Sequence, residues 1–143
     1  MIGYDPWAWL VWGREVTRGQ LSTDGGPTWK PLPVLVTTVL AAFGDAAPAL
    51  WLVLARAGGL FAMVLTYRLA ARFAGPVAGA VAFLALLLTP DGDSRWIRHL
   101  LQGNVEPLTV GLCLWAVQRH LDHRRGQAVL LGCMAGLLRP EIW

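Results

Sequence analysis

The sequence predicts an all-α fold, a polytopic membrane helical bundle with interfacial amphipathic helices, and three observations predict it. First, 55% of the 143 residues are hydrophobic and only 15% are charged, against about 25% charged in soluble domains. Second, the mean hydropathy is +0.49 and the apolar runs are long. Third, charges, prolines and tryptophans concentrate between those runs, where helix ends meet a membrane–water boundary. The formal charge of +3 comes from 12 basic and 9 acidic residues. In such a chain it reads as anchoring loops, not as a surface for nucleic acid. Cys113 and Cys133 lie inside apolar runs and supply neither a disulfide framework nor metal spacing. Residues 1–143 are read as a single partial transmembrane domain, a piece of a longer protein, expected to be inactive alone.

Each element has its own signal. Asp5-Pro6 opens a helix over 5–19, with Asp5 as the N-cap and Gly19 as the stop. Trp9, Trp12 and Val16 share one face of it, opposite Arg14, Glu15 and Arg18. That pattern predicts an interfacial helix with its indoles at headgroup depth. Asp24-Gly25-Gly26-Pro27 is a loop. A short apolar helix over 32–44 is too brief to cross and reads as re-entrant or interfacial.

Residues 49–71 form the clearest spanning helix, with Gly58-Gly59 as a small-residue packing face. Gly75-Pro76 turns the chain into a returning helix over 74–90. Arg95, Arg98, His99 and Gln102 line one side of a second interfacial helix over 94–102. Asn104 is placed to cap a helix over 105–121, and a last helix runs over 127–143. This makes four crossings.

The four crossings leave Arg68, Arg72, Arg119, Arg124 and Arg125 on one face, in short hairpins, where the positive-inside rule weighs most. That face is read as cytoplasmic. Asp5, Lys30, Arg56, Arg95, Arg98, His99, Glu106, Arg139 and Glu141 then gather toward the outer face. An arginine within a membrane helix costs about 2.5–3.5 kcal/mol on insertion scales, so Arg56 should be paired or face a polar cavity.

These residue types suit chemistry on a charged substrate. Asp5 is a candidate general base, and Glu106 a second carboxylate able to orient an acceptor or a metal. Lys30, Arg56 and Arg139 are candidate phosphate binders. Trp7, Trp29 and His99 are candidate substrate contacts. Each also has a structural reading. Asp5 caps a helix, Lys30 snorkels, Glu106 favours the positive end of its helix, and tryptophans anchor at an interface.

The order of these residues resembles the polyprenyl-phosphate-sugar-dependent membrane glycosyltransferases of the GT-C fold, such as the aminoarabinose transferase and protein mannosyltransferase groups. Tyr4-Asp5-Pro6-Trp7 is similar to that family's acidic first outer loop. Trp29-Lys30-Pro31-Leu32-Pro33 is similar to its Lys-Pro-Pro-Leu turn, with the order changed. Glu106-Pro107-Leu108 resembles its later Asp-x-Pro-Leu, with Glu for Asp, and Leu138-Arg139-Pro140-Glu141 resembles a helix end of some members.

The resemblance implies a bacterial plasma-membrane transferase with a partial GT-C fold. Its donor would be a polyprenyl-phosphate-linked sugar. Lys30, with Arg56 or Arg139, would neutralise the leaving phosphate. Asp5 would activate or position an acceptor hydroxyl with inversion, assisted by Glu106. A divalent metal is compatible with this chemistry, and the sequence leaves its use open. The acceptor, whether glycan, lipid or protein, is equally open. The rival reading is a non-catalytic membrane scaffold, or a lipid-binding or flippase-like subunit with the same cationic cavity.

Overall fold

The structure is a computed structural model and describes residues 2–88 and 95–139. Every described element is helical, with six α-helices and one 3-10 segment. Helix α1 spans Tyr4–Arg18, α2 Pro31–Leu40, α3 Ala47–Leu87, α4 Arg95–Gln102, α5 Glu106–Leu121 and α6 Arg125–Leu138. The 3-10 segment Ala41–Ala46 joins α2 to α3.

Local chemistry accounts for most of these bounds. Gly19, with φ 64°, ends α1, and its amide returns to the carbonyls of Val16 and Glu15. Lys30 is extended because it precedes Pro31, and that proline opens α2. In α3 the backbone leaves helical geometry at Gly75, φ 85° and ψ 170°, and Pro76 starts the second limb. The limb folds back against the first, so that a Cβ on Gly79 would lie 2.8 Å from the Tyr67 carbonyl oxygen. The expected helices over 49–71 and 74–90 fall on these two limbs, the second being helical as far as Leu87, with 89–90 outside the described residues. The expected helix over 127–143 is helical as far as Leu138. Arg139 is extended, and residues 140–143 lie outside the described residues.

Three sequence expectations meet a different arrangement. Asp5 is not the cap of α1. Gly3 holds the N-cap position, and Asp5 lies in the first turn without a side-chain capping bond. Asn104 does not cap α5 either, because Val105 holds that position. Trp9 and Trp12 are almost wholly buried in protein, while Val16 on the same face is exposed. The apolar period located the face but not its partner, which is α2 rather than lipid headgroups.

The packing follows from small residues at helix crossings. Helix α1 lies on α2, and α5 lies between α3 and α6. At the first crossing Gly13 faces Thr37, whose hydroxyl donates to the Trp9 carbonyl at 2.7 Å. At the second, Gly58 and Gly111 allow close approach, and a Cβ on Gly111 would lie 3.2 Å from the Gly58 carbonyl oxygen. Trp9, Leu10, Trp12, Val34, Trp51, Val105 and Leu138 form the core between these layers. The α1–α2 crossing is therefore intolerant of one methyl group. Gly13→Ala places its Cβ 2.5 Å from the Thr37 carbonyl carbon and should cost about 1–3 kcal/mol. Gly132→Ala in α6 meets nothing within 4 Å and should stabilise by up to about 1 kcal/mol. Thermal melting followed by circular dichroism in detergent should show the two shifts with opposite sign.

Candidate functional site

The end of α4 organises the site. A helix leaves its last carbonyls without intrahelical donors, and here other segments supply them. The Asn104 amide donates to the His99 carbonyl at 3.0 Å, closing the helix through Gly103, φ 74°. Arg56 reaches the Leu100 and Leu101 carbonyls at 3.4 and 3.5 Å. The Gly3 amide donates to the Gln102 carbonyl at 2.9 Å. The Trp51 indole donates to the Gly103 carbonyl at 2.9 Å. The start of α1, the middle of α3 and the α4–α5 corner are thus joined at one place.

That corner gathers several of the sequence-derived candidates. Asp5 lies two residues beyond Gly3, and Glu106 two beyond Asn104, so each is within about 7 Å of chain from the junction. Asp5 is half-buried and makes no side-chain hydrogen bond or ion pair among the described residues. His99 Nδ1 lies 2.9 Å from Asn104 Nδ2 and 3.5 Å from Glu106 Oε2. With Asn104 as donor, the ring proton sits on Nε2. Glu106 Oε2 is then a buried acceptor with no hydrogen-bond partner. Such an oxygen is costly to leave unpaired and ready to accept a hydroxyl donor.

Lys30 belongs to the same end of the molecule. Only 5% of it is exposed, and Nζ lies over the Trp9 ring, 5.2 Å from its centroid. Trp9 is one helical turn from Asp5 on the same face. No carboxylate among the described residues is within ion-pair distance of Lys30. A buried ammonium over an indole gains from the ring quadrupole but lacks a counter-charge. Trp9 in turn meets Trp51 edge to face at 5.8 Å.

Below this lies an apolar cavity of about 180 Å³, lined by Leu32 and Pro33 of α2, Trp51 and Leu54 of α3, Leu108 of α5 and Leu138 of α6. Arg139 follows Leu138 and is half-buried at the same end.

The remaining candidates are placed less centrally. Arg56 is exposed, and its guanidinium serves the carbonyls of α4. Trp7 is exposed, and Trp29 stacks on Trp12 at 5.4 Å. No three His, Cys, Asp or Glu side chains among the described residues are grouped to hold a metal ion. Sequence reasoning missed Trp51, Gly103 and Thr37. A tryptophan inside an otherwise apolar helix, away from either end, was the available signal for Trp51. The described residues form an all-helical fold in which the starts of α1 and α5 flank the α4–α5 corner. No family model, curated protein or solved structure matches the chain.

The opposite end holds Asp122, the one carboxylate among the described residues with a shifted affinity for protons. Arg72 Nη1 donates to Asp122 Oδ1 at 2.7 Å, tying α3 to the α5–α6 turn. That bond, with smaller help from Arg119 and Arg124, holds the Asp122 carboxyl below its ordinary 3.8. The folded value is the lower one, so the contribution is fully present above the unfolded value and disappears as pH falls through the folded one. The melting-temperature gap between the parent chain and Asp122→Asn should be constant above about pH 5 and close below 3.8. Added salt should narrow it, because the pair is exposed.

Proposed function

We propose that this chain is part of an integral membrane glycosyltransferase that moves a sugar from a polyprenyl-phosphate donor to an acceptor at the outer membrane face. The observation that carries the reading is Lys30, buried over Trp9 with no carboxylate at ion-pair distance among the described residues, Trp9 itself lying one turn from Asp5. A leaving phosphate supplies the missing charge, and a preorganised ammonium is worth most where charge develops in a dry site. Asp5 and the unpaired oxygen of Glu106 offer two acceptors for a hydroxyl proton on the acceptor. The apolar cavity lined by Leu32, Pro33 and Trp51 suits the first isoprene units of a donor. Arg139, at the same end, would add a second positive charge.

The membrane setting rests on apolar surface. By length and composition, Pro31–Leu87 is the one helical stretch among the described residues that qualifies as a membrane span. Val53, Leu60, Val77, Val81, Val129 and Leu130 are each about 60% exposed or more, which soluble monomers avoid in continuous patches. Two limbs of α3 with α5 and α6 would make four crossings in a bacterial plasma membrane. Helices α5 and α6, of 16 and 14 residues, are about 24 and 21 Å long. They would rely on flanking residues or a thinned bilayer.

In the full-length protein, Asp5→Asn should lower glycan transfer by about 10²–10⁴-fold while donor binding persists. Unchanged transfer would remove Asp5 from the chemistry. Lys30→Met keeps the stem over Trp9 and should weaken donor binding by about tenfold or more. Equal donor binding in that variant would take the phosphate away from Lys30.

A further inference from the structure

A second pocket lies at the other end of the molecule, between α5 and α6. It has a volume of about 320 Å³ and is lined by Trp115, Arg119, Arg124, Gln127, Leu130 and Leu131. We infer that this pocket holds the phosphate headgroup of an anionic phospholipid from the leaflet opposite the candidate active site. The inference rests on the membrane reading above but not on the transfer chemistry.

Four observations carry it. The guanidinium of Arg119 lies over the Trp115 ring, 5.6 Å from the centroid. The indole holds the charge in place while its N–H fork remains available to an oxyanion. Neither Arg119 nor Arg124 makes an ion pair with a carboxylate among the described residues. Asp122, the acid between them in sequence, is already bound by Arg72. The nearby positive charge is therefore in excess, with Arg68 and Arg125 adding to it.

The walls match the rest of a lipid. Leu131 is buried and Leu130 is 61% exposed, so an acyl chain can run from the pocket along the outer side of α6. Gln127 adds a polar edge at headgroup depth. The volume is within the range of roughly 300–1,000 Å³ typical of small-molecule sites. Basic residues beside the cytoplasmic ends of membrane helices meet an anionic leaflet in just this geometry.

The test is native mass spectrometry of the full chain in neutral detergent, titrated with phosphatidylglycerol or phosphatidylcholine. One phosphatidylglycerol should be retained at about tenfold higher affinity than phosphatidylcholine. The double variant Arg119→Gln/Arg124→Gln should lose that preference. Arg119→Lys/Arg124→Lys should keep part of it, and Arg14→Gln/Arg18→Gln, at exposed or half-buried positions of α1, should keep all of it. Unaltered helix content by circular dichroism must accompany the loss. Equal retention of the two lipids, or a preference surviving in the Gln double variant, overturns the inference. So does displacement of the lipid by millimolar inorganic phosphate, which would make the pocket a site for free anions. Alkaline extraction of membranes separates this failure from the other. A chain that stays in the membrane without lipid preference loses only this proposal, and a chain released by carbonate loses both.

Discussion

The satisfied carbonyls at the end of α4 are the constraint on which the remaining structure depends. An eight-residue helix has little stability of its own. Its last carbonyls, with that of Gly103 just beyond, are met by the Gly3 amide just before α1, an indole of α3 and a guanidinium of α3. These donors come from segments about 44 to 99 residues away in sequence. Removing the Trp51 indole would leave the buried Gly103 carbonyl without that partner. The same bonds set the distance between the first turn of α1, which carries Asp5, and the first turn of α5, which carries Glu106.

A second set of contacts is aromatic. Trp51 bonds to Gly103 through its N–H and meets Trp9 with its ring, and Trp9 carries Lys30 on its face. One chain of contacts therefore runs from the α4–α5 corner to the amine. Gly103 is required at its place in that chain. Its φ of 74° suits glycine, and a Cβ there would lie 2.9 Å from Leu52. The polar corner and the apolar cavity share Trp51, so one side chain positions both.

Much of the helical plan was legible in the sequence because its signals are local. Gly19, Gly75-Pro76 and Lys30-Pro31 act on their own backbone, and each lies at the break it implied. The Gly58-Gly59 face was legible as well, since small residues in an apolar helix point to close packing. What could not be read was every outcome decided by a distant partner. Asp5 lost the cap position because the Gly3 amide finds the Gln102 carbonyl. Asn104 turned to His99 and Gln102 instead of capping α5. Periodicity marked Trp9 and Trp12 as one apolar stripe, but lipid and protein partners leave the same period. Arg56 read as a phosphate binder that should be paired or face a polar cavity, and its donors reach the carbonyls of a helix 44 residues on, a partner that spacing alone does not reveal.

The start of α1 and the end of α4 meet through the Gly3–Gln102 bond, and the proposed function places that junction beside the outer leaflet. A Cβ on Gly3 would lie 3.4 Å from that of Gln102, close to the separation of about 3.5–4.5 Å that a disulfide spans. The direct measurement is cross-linking of Gly3→Cys/Gln102→Cys in the full-length protein in intact cells, with Cys113 and Cys133 replaced by alanine. Disulfide formation should be rapid under mild oxidation, and a membrane-impermeant maleimide added from outside should prevent it. Two free thiols after oxidation, or thiols that the reagent reaches only once the membrane is opened, would contradict that placement.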